Sequence, residues 1–115
     1  LTRYTREDAR RAFAEAGLTQ AAVTRGSLQR LRALINERMV AGGYMQGTLR
    51  CRQRGVVRAD HAALLCKAFY FDDREAVTFN RDGFIGFAGW ASDENVQPIL
   101  GGFIAWVGEL QEKHS

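Results

Sequence analysis

The sequence predicts an α+β fold: N-terminal helices, an antiparallel sheet of about four strands with a meander, and a long C-terminal helix. Three observations carry this. Apolar residues recur at three-four spacing towards both ends of the chain. The middle holds alternating or aromatic-rich stretches of strand length. Gly, Asp and Asn clusters separate those stretches. At 115 residues and 46% apolar composition, the chain reads as one domain, 1–115, with enough material for a core.

The first helix is expected from a cap at Thr5 to about Ala16, with Gly17 as its stop. Asp8, three residues after Thr5, is a variant of the capping box. Ala9, Ala12, Phe13 and Ala16 make a narrow apolar side. Glu7–Arg11 and Arg11–Glu15, each four apart, fit a solvated outer face.

Residues 18–43 admit two readings. One is a short helix from Thr19 to Thr24, a turn at Arg25-Gly26, and a longer helix capped by Ser27. The other is one helix running through Gly26, at a cost of about 1 kcal/mol for the glycine. In both, Leu28, Leu31, Leu34, Ile35 and Met39 form an apolar stripe that ends at Gly42-Gly43.

Residues 44–54 alternate. Arg50, Arg52 and Arg54 share one side, and Leu49 and Cys51 the other, which is the pattern of a half-buried strand. A turn or short helical piece is expected near Asp60. Leu65–Phe71, Ala76–Phe79 and Phe84–Trp90 read as strands of a meander, separated by turns at 72–75 and 80–83. Aromatic side chains fall on both faces, Tyr70, Phe79, Phe84 and Trp90 on some parities and Phe69, Phe71 and Phe87 on others, so both faces are expected to need cover in whole or in part. The last helix is expected to start near Asn95, because Pro98 suits only a first turn. Its stripe is Val96, Ile99, Leu100, Phe103, Val107 and Leu110, widened by Ile104 and Trp106. Gly101, Ala105 and Gly108 form a second line along which a backbone could approach closely.

Motifs of catalysis are missing from this pattern. There is no glycine-rich phosphate loop after a strand, no histidine-glutamate helix motif and no cysteine pair at zinc spacing. His61 beside Asp60, and Cys51 between two arginines, are isolated signals. The acids Asp72, Asp73, Glu75 and Asp82 read as solvated turn residues. The expectation is therefore a non-enzymatic protein without a catalytic residue, metal site or cofactor. Cys51 and Cys66 read as two buried thiols rather than a bridge, which points to a reducing, cytoplasmic setting. No signal segment opens the sequence, and the apolar run 96–110 is shorter than the roughly 20 residues that span a bilayer, so no membrane contact is expected.

Charge supplies the functional lead. Residues 1–67 hold 13 Arg/Lys against 5 Asp/Glu, whereas residues 68–115 hold 3 against 8. Fourteen of the 16 cations are Arg, whose planar fork suits phosphate and carboxylate. Arg50, Arg52 and Arg54 would form a cationic stripe at about 6.5 Å intervals, with Arg58 just beyond. Arg25, Gln29, Arg32 and Asn36 follow helical spacing away from the leucine stripe, and Arg30 borders them. Such side chains contact phosphates and base edges. A helix-turn-helix variant over residues 16–35 is one geometry for presenting them.

The sequence thus points to a nucleic-acid-binding or regulatory accessory protein acting through an Arg-rich N-terminal surface. The alternative is a protein-binding inhibitor or adaptor, anchored by Phe84, Trp90 and Trp106 on the sheet and last helix. Interfaces are enriched in aromatics and Arg. Its partner would be another protein or a second copy of the chain, including head-to-tail contact between basic and acidic halves.

Overall fold

In the computed structural model, the structure describes residues 3–18, 20–43, 49–54, 66–71, 74–80 and 83–113. The element order is α1 (Arg6–Glu15), a 3₁₀ turn (Gln20–Ala22), α2 (Arg25–Ala41), β1 (Leu49–Arg54), β2 (Cys66–Phe71), β3 (Arg74–Asn80), β4 (Gly83–Phe87) and α3 (Asp93–Lys113). Among the described residues, no helix is long and apolar enough to cross a membrane.

Local sequence explains each helix start. Thr5 caps α1: its side chain accepts from the Asp8 backbone N–H, and the Asp8 carboxylate accepts from the Thr5 N–H at 2.8 Å. The pairs on α1's outer side run at three-residue rather than four-residue spacing, Arg10–Glu7 and Arg11–Asp8. Gly17 follows α1 with φ +69, a left-handed conformation open to glycine. The cap of α2 is Thr24, not Ser27. Ser27 sits at the third helical position and closes a reciprocal capping box with Thr24. Gly26 therefore lies in the first turn of α2. Only a three-residue 3₁₀ turn precedes it, so the helix-turn-helix pair expected over residues 16–35 is not formed.

Helix α3 begins at Asp93 rather than Asn95. The Ser92 hydroxyl accepts from the Asn95 N–H at 3.3 Å, and the Ser92 carbonyl accepts from Val96 at 3.0 Å. Pro98 consequently sits in the second turn, where it has no N–H to donate to the helix ladder. Burial of Pro98 against the core offsets that loss.

Backbone ladders join the strands in the order β1-β2-β3-β4, each pair antiparallel. The expected antiparallel sheet of about four strands with a meander is corrected. The described side chains that reach the core from the sheet belong to a two-strand antiparallel unit, β3–β4: Ala76, Val77, Phe79 and Phe87. Regularity is broken by register shifts at Phe69/Tyr70 and Thr78/Phe79. The second shift also corrects the expected faces. Phe79 pairs with Phe84 near the turn, yet Val77 pairs with Phe87 farther along. One extra residue on β4 reverses the parity, and Phe79 and Phe87 both enter the core. The last strand ends at Phe87, not Trp90, and residues 88–91 form a turn.

A single core joins the helices to β3 and β4. The buried rings of Phe13, Phe79, Phe87, Phe103 and Trp106 form its aromatic centre, with Phe87 edge-on to Phe103 at 4.8 Å. α3 packs between α1 and α2, while α2 also lies against β1 and α1 against β4. The close approach to α3 occurs at Gly102, off the expected Gly101/Ala105/Gly108 line, and Gly108 faces open space.

Two polar staples tie the ends of the chain together. The Tyr4 N–H donates to Gln97 Oε1 at 2.9 Å, and Gln97 Nε2 donates back to the Tyr4 carbonyl at 2.8 Å. Arg6 Nη2 donates to the carbonyls of Ala88 and Ala91, and Nη1 pairs with Asp93.

Candidate functional site

The apolar stripe of α2 decides which of its residues can meet a partner. Leu28, Leu31, Leu34, Ile35 and Met39 are buried. With that side held inward, Arg25, Gln29 and Arg32 stand exposed, and Asn36 is half-buried beside them. Three-four spacing sets these residues in one row along the helix. Glu37 is also exposed nearby.

The arginines of the N-terminal half divide into two groups. Arg3 pairs with Glu94 at 2.9 Å, Arg6 with Asp93, Arg10 with Glu7, and Arg11 with Asp8. Arg30, expected in the nucleic-acid surface, instead forms a bidentate pair with Glu109 of α3, both bonds at 2.8 Å. Those hydrogen bonds raise the Arg30 pKa and hold the Glu109 carboxyl below its usual range. Arg30 is thus a link between helices rather than a cation on offer. Arg38 is half-buried, its Nε and Cδ lying over Gly101. Among the described residues, Arg25 and Arg32 are the exposed arginines of α2 that no carboxylate engages.

Backbone register places the strand arginines. Cys51 pairs with Phe69, Phe69 with Val77, and Val77 with Phe87. Residues directly opposite in an antiparallel ladder share a face. Val77 and Phe87 are buried in the core. Arg50, Arg52 and Arg54 lie on β1 opposite Tyr70, Ala68 and Cys66 of β2. Arg58, His61, His114, Asp60, Asp72, Asp73 and Asp82 lie outside the described residues.

Register also separates the cysteines. Cys66 pairs with Arg54, while Cys51 is three positions away on β1. That offset is about 10 Å along the strand, beyond the reach of a disulfide without backbone movement.

Of the three aromatic anchors expected for a protein partner, Trp106 is corrected. It is 0% exposed, and its Nε1 donates to the Ser27 carbonyl at 2.7 Å. Its place in the dense apolar stripe of α3 was the signal for core. Phe84 lies on β4. Trp90 is 40% exposed, with Nε1 donating to the Glu75 carbonyl at 2.7 Å. One exposed tryptophan held by its own fold is an ordinary surface feature.

A cleft of about 460 Å³ lies between the N-terminal ends of α1 and α3, lined by Arg3, Arg6, Arg10, Glu7, Asp93 and Gln97 among others. Its three arginines all face carboxylates in ion pairs. The Arg3–Glu94 and Arg6–Asp93 pairs make it an electrostatic seam between the two helices, which sequence spacing missed because those partners are far apart in the chain. Among the described residues, no group of three or more His, Cys, Asp or Glu is placed to hold a metal ion.

Comparison of the chain with protein-family models, with curated proteins and with solved structures finds no match.

Proposed function

We propose that this chain binds nucleic acid through its phosphate backbone, with the outer row of α2 as the main contact. The observation that carries the reading is the division of the arginines. Five are paired with carboxylates of this fold, whereas Arg25 and Arg32 remain exposed in a row with Gln29 and Asn36. Guanidinium forks match phosphate oxygens, and the amides between them add donors and acceptors for phosphate or base edges. The acidic C-terminal half favours contact on one side over envelopment of the domain by a polyanion.

The test is binding of mixed-sequence duplex and single-stranded oligonucleotides across a salt series. Affinity should fall linearly with salt on logarithmic axes. Arg25→Gln/Arg32→Gln should weaken binding regardless of sequence. Lack of binding at low salt would overturn the reading.

A further inference from the structure

We infer that the ligand of α2 is duplex DNA in B form, entered through its major groove. This rests on the reading above that α2 contacts a nucleic-acid backbone, and it names which nucleic acid. α2 turns Leu28, Leu31, Leu34, Ile35 and Met39 inward. At about 3.6 residues per turn, Gly26, Gln29, Ala33 and Val40 run along the opposite crest, and all four are exposed. Arg25 and Arg32 stand on one flank of that crest, also exposed. Arg30 and Glu37 stand on the other flank, where Glu109 holds Arg30.

The crest is narrow. A Cβ at Gly26 would meet only Thr24 Oγ1, at 4.0 Å, and Ala33 ends at its methyl. A helix with its side chains is about 10–12 Å across, and the major groove of B-form DNA is about 12 Å wide. The groove therefore admits the crest, with Gln29 as the polar side chain that reaches farthest from it. No described residue hydrogen-bonds the Gln29 side chain. Its amide can donate and accept together at a base edge, the pairing that suits adenine. Arg25 and Arg32 are two turns apart, about 10.5 Å along the axis, and meet the phosphates of one wall. Glu37 lies two turns past Arg30 on the far flank, so the N-terminal half of α2 is the part that a polyanion admits.

Other nucleic acids suit α2 less well. A-form RNA has a major groove too deep and narrow for side chains to read. Single strands are gripped by aromatic side chains on which the bases stack, and α2 bears none from Arg25 to Ala41.

The experiment uses the full chain and matched probes of about two helical turns. They are a mixed-sequence DNA duplex, the RNA duplex of the same sequence, each single DNA strand, and the DNA duplex with glucosylated 5-hydroxymethylcytosine in place of cytosine. The glucose fills the major groove and leaves the phosphates unchanged. At low salt, the plain DNA duplex should bind about tenfold or more tighter than each of the others. Selection from randomised DNA duplexes should enrich a preferred sequence with the wild type. Gln29→Ala should lose about tenfold of that preference at one base pair and keep the salt slope, since both flank arginines remain.

Equal binding of the plain and glucosylated duplexes would overturn the inference, as would RNA duplex or single strand bound as tightly as DNA. An unchanged base preference in Gln29→Ala would do the same, because the crest would then not reach the bases. Each of these outcomes leaves the phosphate contact of α2 standing. Failure of every probe to bind at low salt defeats the proposed function with it.

Discussion

Gly102 of α3 stands directly against the backbone of Ile35 on α2. A Cβ at Gly102 would lie 2.6 Å from Ile35 Cγ1, 2.8 Å from its Cα and 2.9 Å from its N. Backbone atoms cannot yield as a flexible side chain can, so Gly102→Ala must push the helices apart. The alanine gains about 1 kcal/mol of helix propensity, but overpacking costs about 1–3 kcal/mol, and the tight backbone contact favours the upper part of that range. Gly102→Ala should lower the urea midpoint. Gly108→Ala, with nothing within 4 Å, should raise it.

The cap of α2 makes a second prediction. Thr24 and Ser27 exchange side-chain-to-backbone hydrogen bonds, at 2.9 and 3.1 Å. Thr24→Ala should cost about 1 kcal/mol. Thermal melts of Thr24→Ala, Ser27→Ala and the double variant test reciprocity. The double should cost less than the sum of the singles, because each partner orients the other.

Trp106→Phe removes an indole donor while keeping an aromatic ring in the core. It leaves the Ser27 carbonyl without its 2.7 Å partner and opens space beside Phe79 and Phe13. Together these should cost about 1–3 kcal/mol, read as a lower denaturant midpoint at unchanged m-value. Trp90→Phe should cost less and should remove the tryptophan fluorescence that an aqueous quencher reaches, since Trp90 is 40% exposed and Trp106 is buried.

The Arg30–Glu109 pair predicts a pH dependence. Hydrogen bonds from Arg30 lower the Glu109 pKa on folding. A carboxylate with a depressed folded-state pKa stabilises the fold above its unfolded value, and that contribution is lost as pH falls through the folded value. Glu109→Gln should therefore melt slightly below wild type at neutral pH, and the gap should close in acid. With side chains 52% and 44% exposed, the effect is small and shrinks with added salt.

The same pair supplies a control for binding. Arg30→Gln removes a cation already engaged by Glu109, so it should leave the salt dependence of nucleic-acid binding near that of wild type. Arg25→Gln/Arg32→Gln should reduce the slope on duplex by about 2, one phosphate contact for each arginine removed. An equal loss in both variants would show that binding responds to net charge alone.

Helices were the most legible elements, because one buried side repeats every three or four residues whatever lies against it. Leu28 through Met39 on α2 and Val96 through Leu110 on α3 are buried as that spacing requires. The start of α2 was less legible, since Thr24 and Ser27 are both good capping residues and only the hydrogen-bond pattern separates their roles. Strand faces were harder still. A shift of one residue between Thr78 and Phe79 reverses parity, and alternation in one strand carries no sign of it.

By itself, the sequence determined the apolar stripes of the three helices and that basic residues crowd the N-terminal half. Those properties depend on near neighbours and on counting. Tertiary structure alone decided which arginines are available. Glu109 lies 79 residues from Arg30 and binds it, and Asp93 and Glu94 reach back to Arg6 and Arg3. Ion pairs between helices depend on distances between residues remote in the chain, which packing sets and local spacing does not encode.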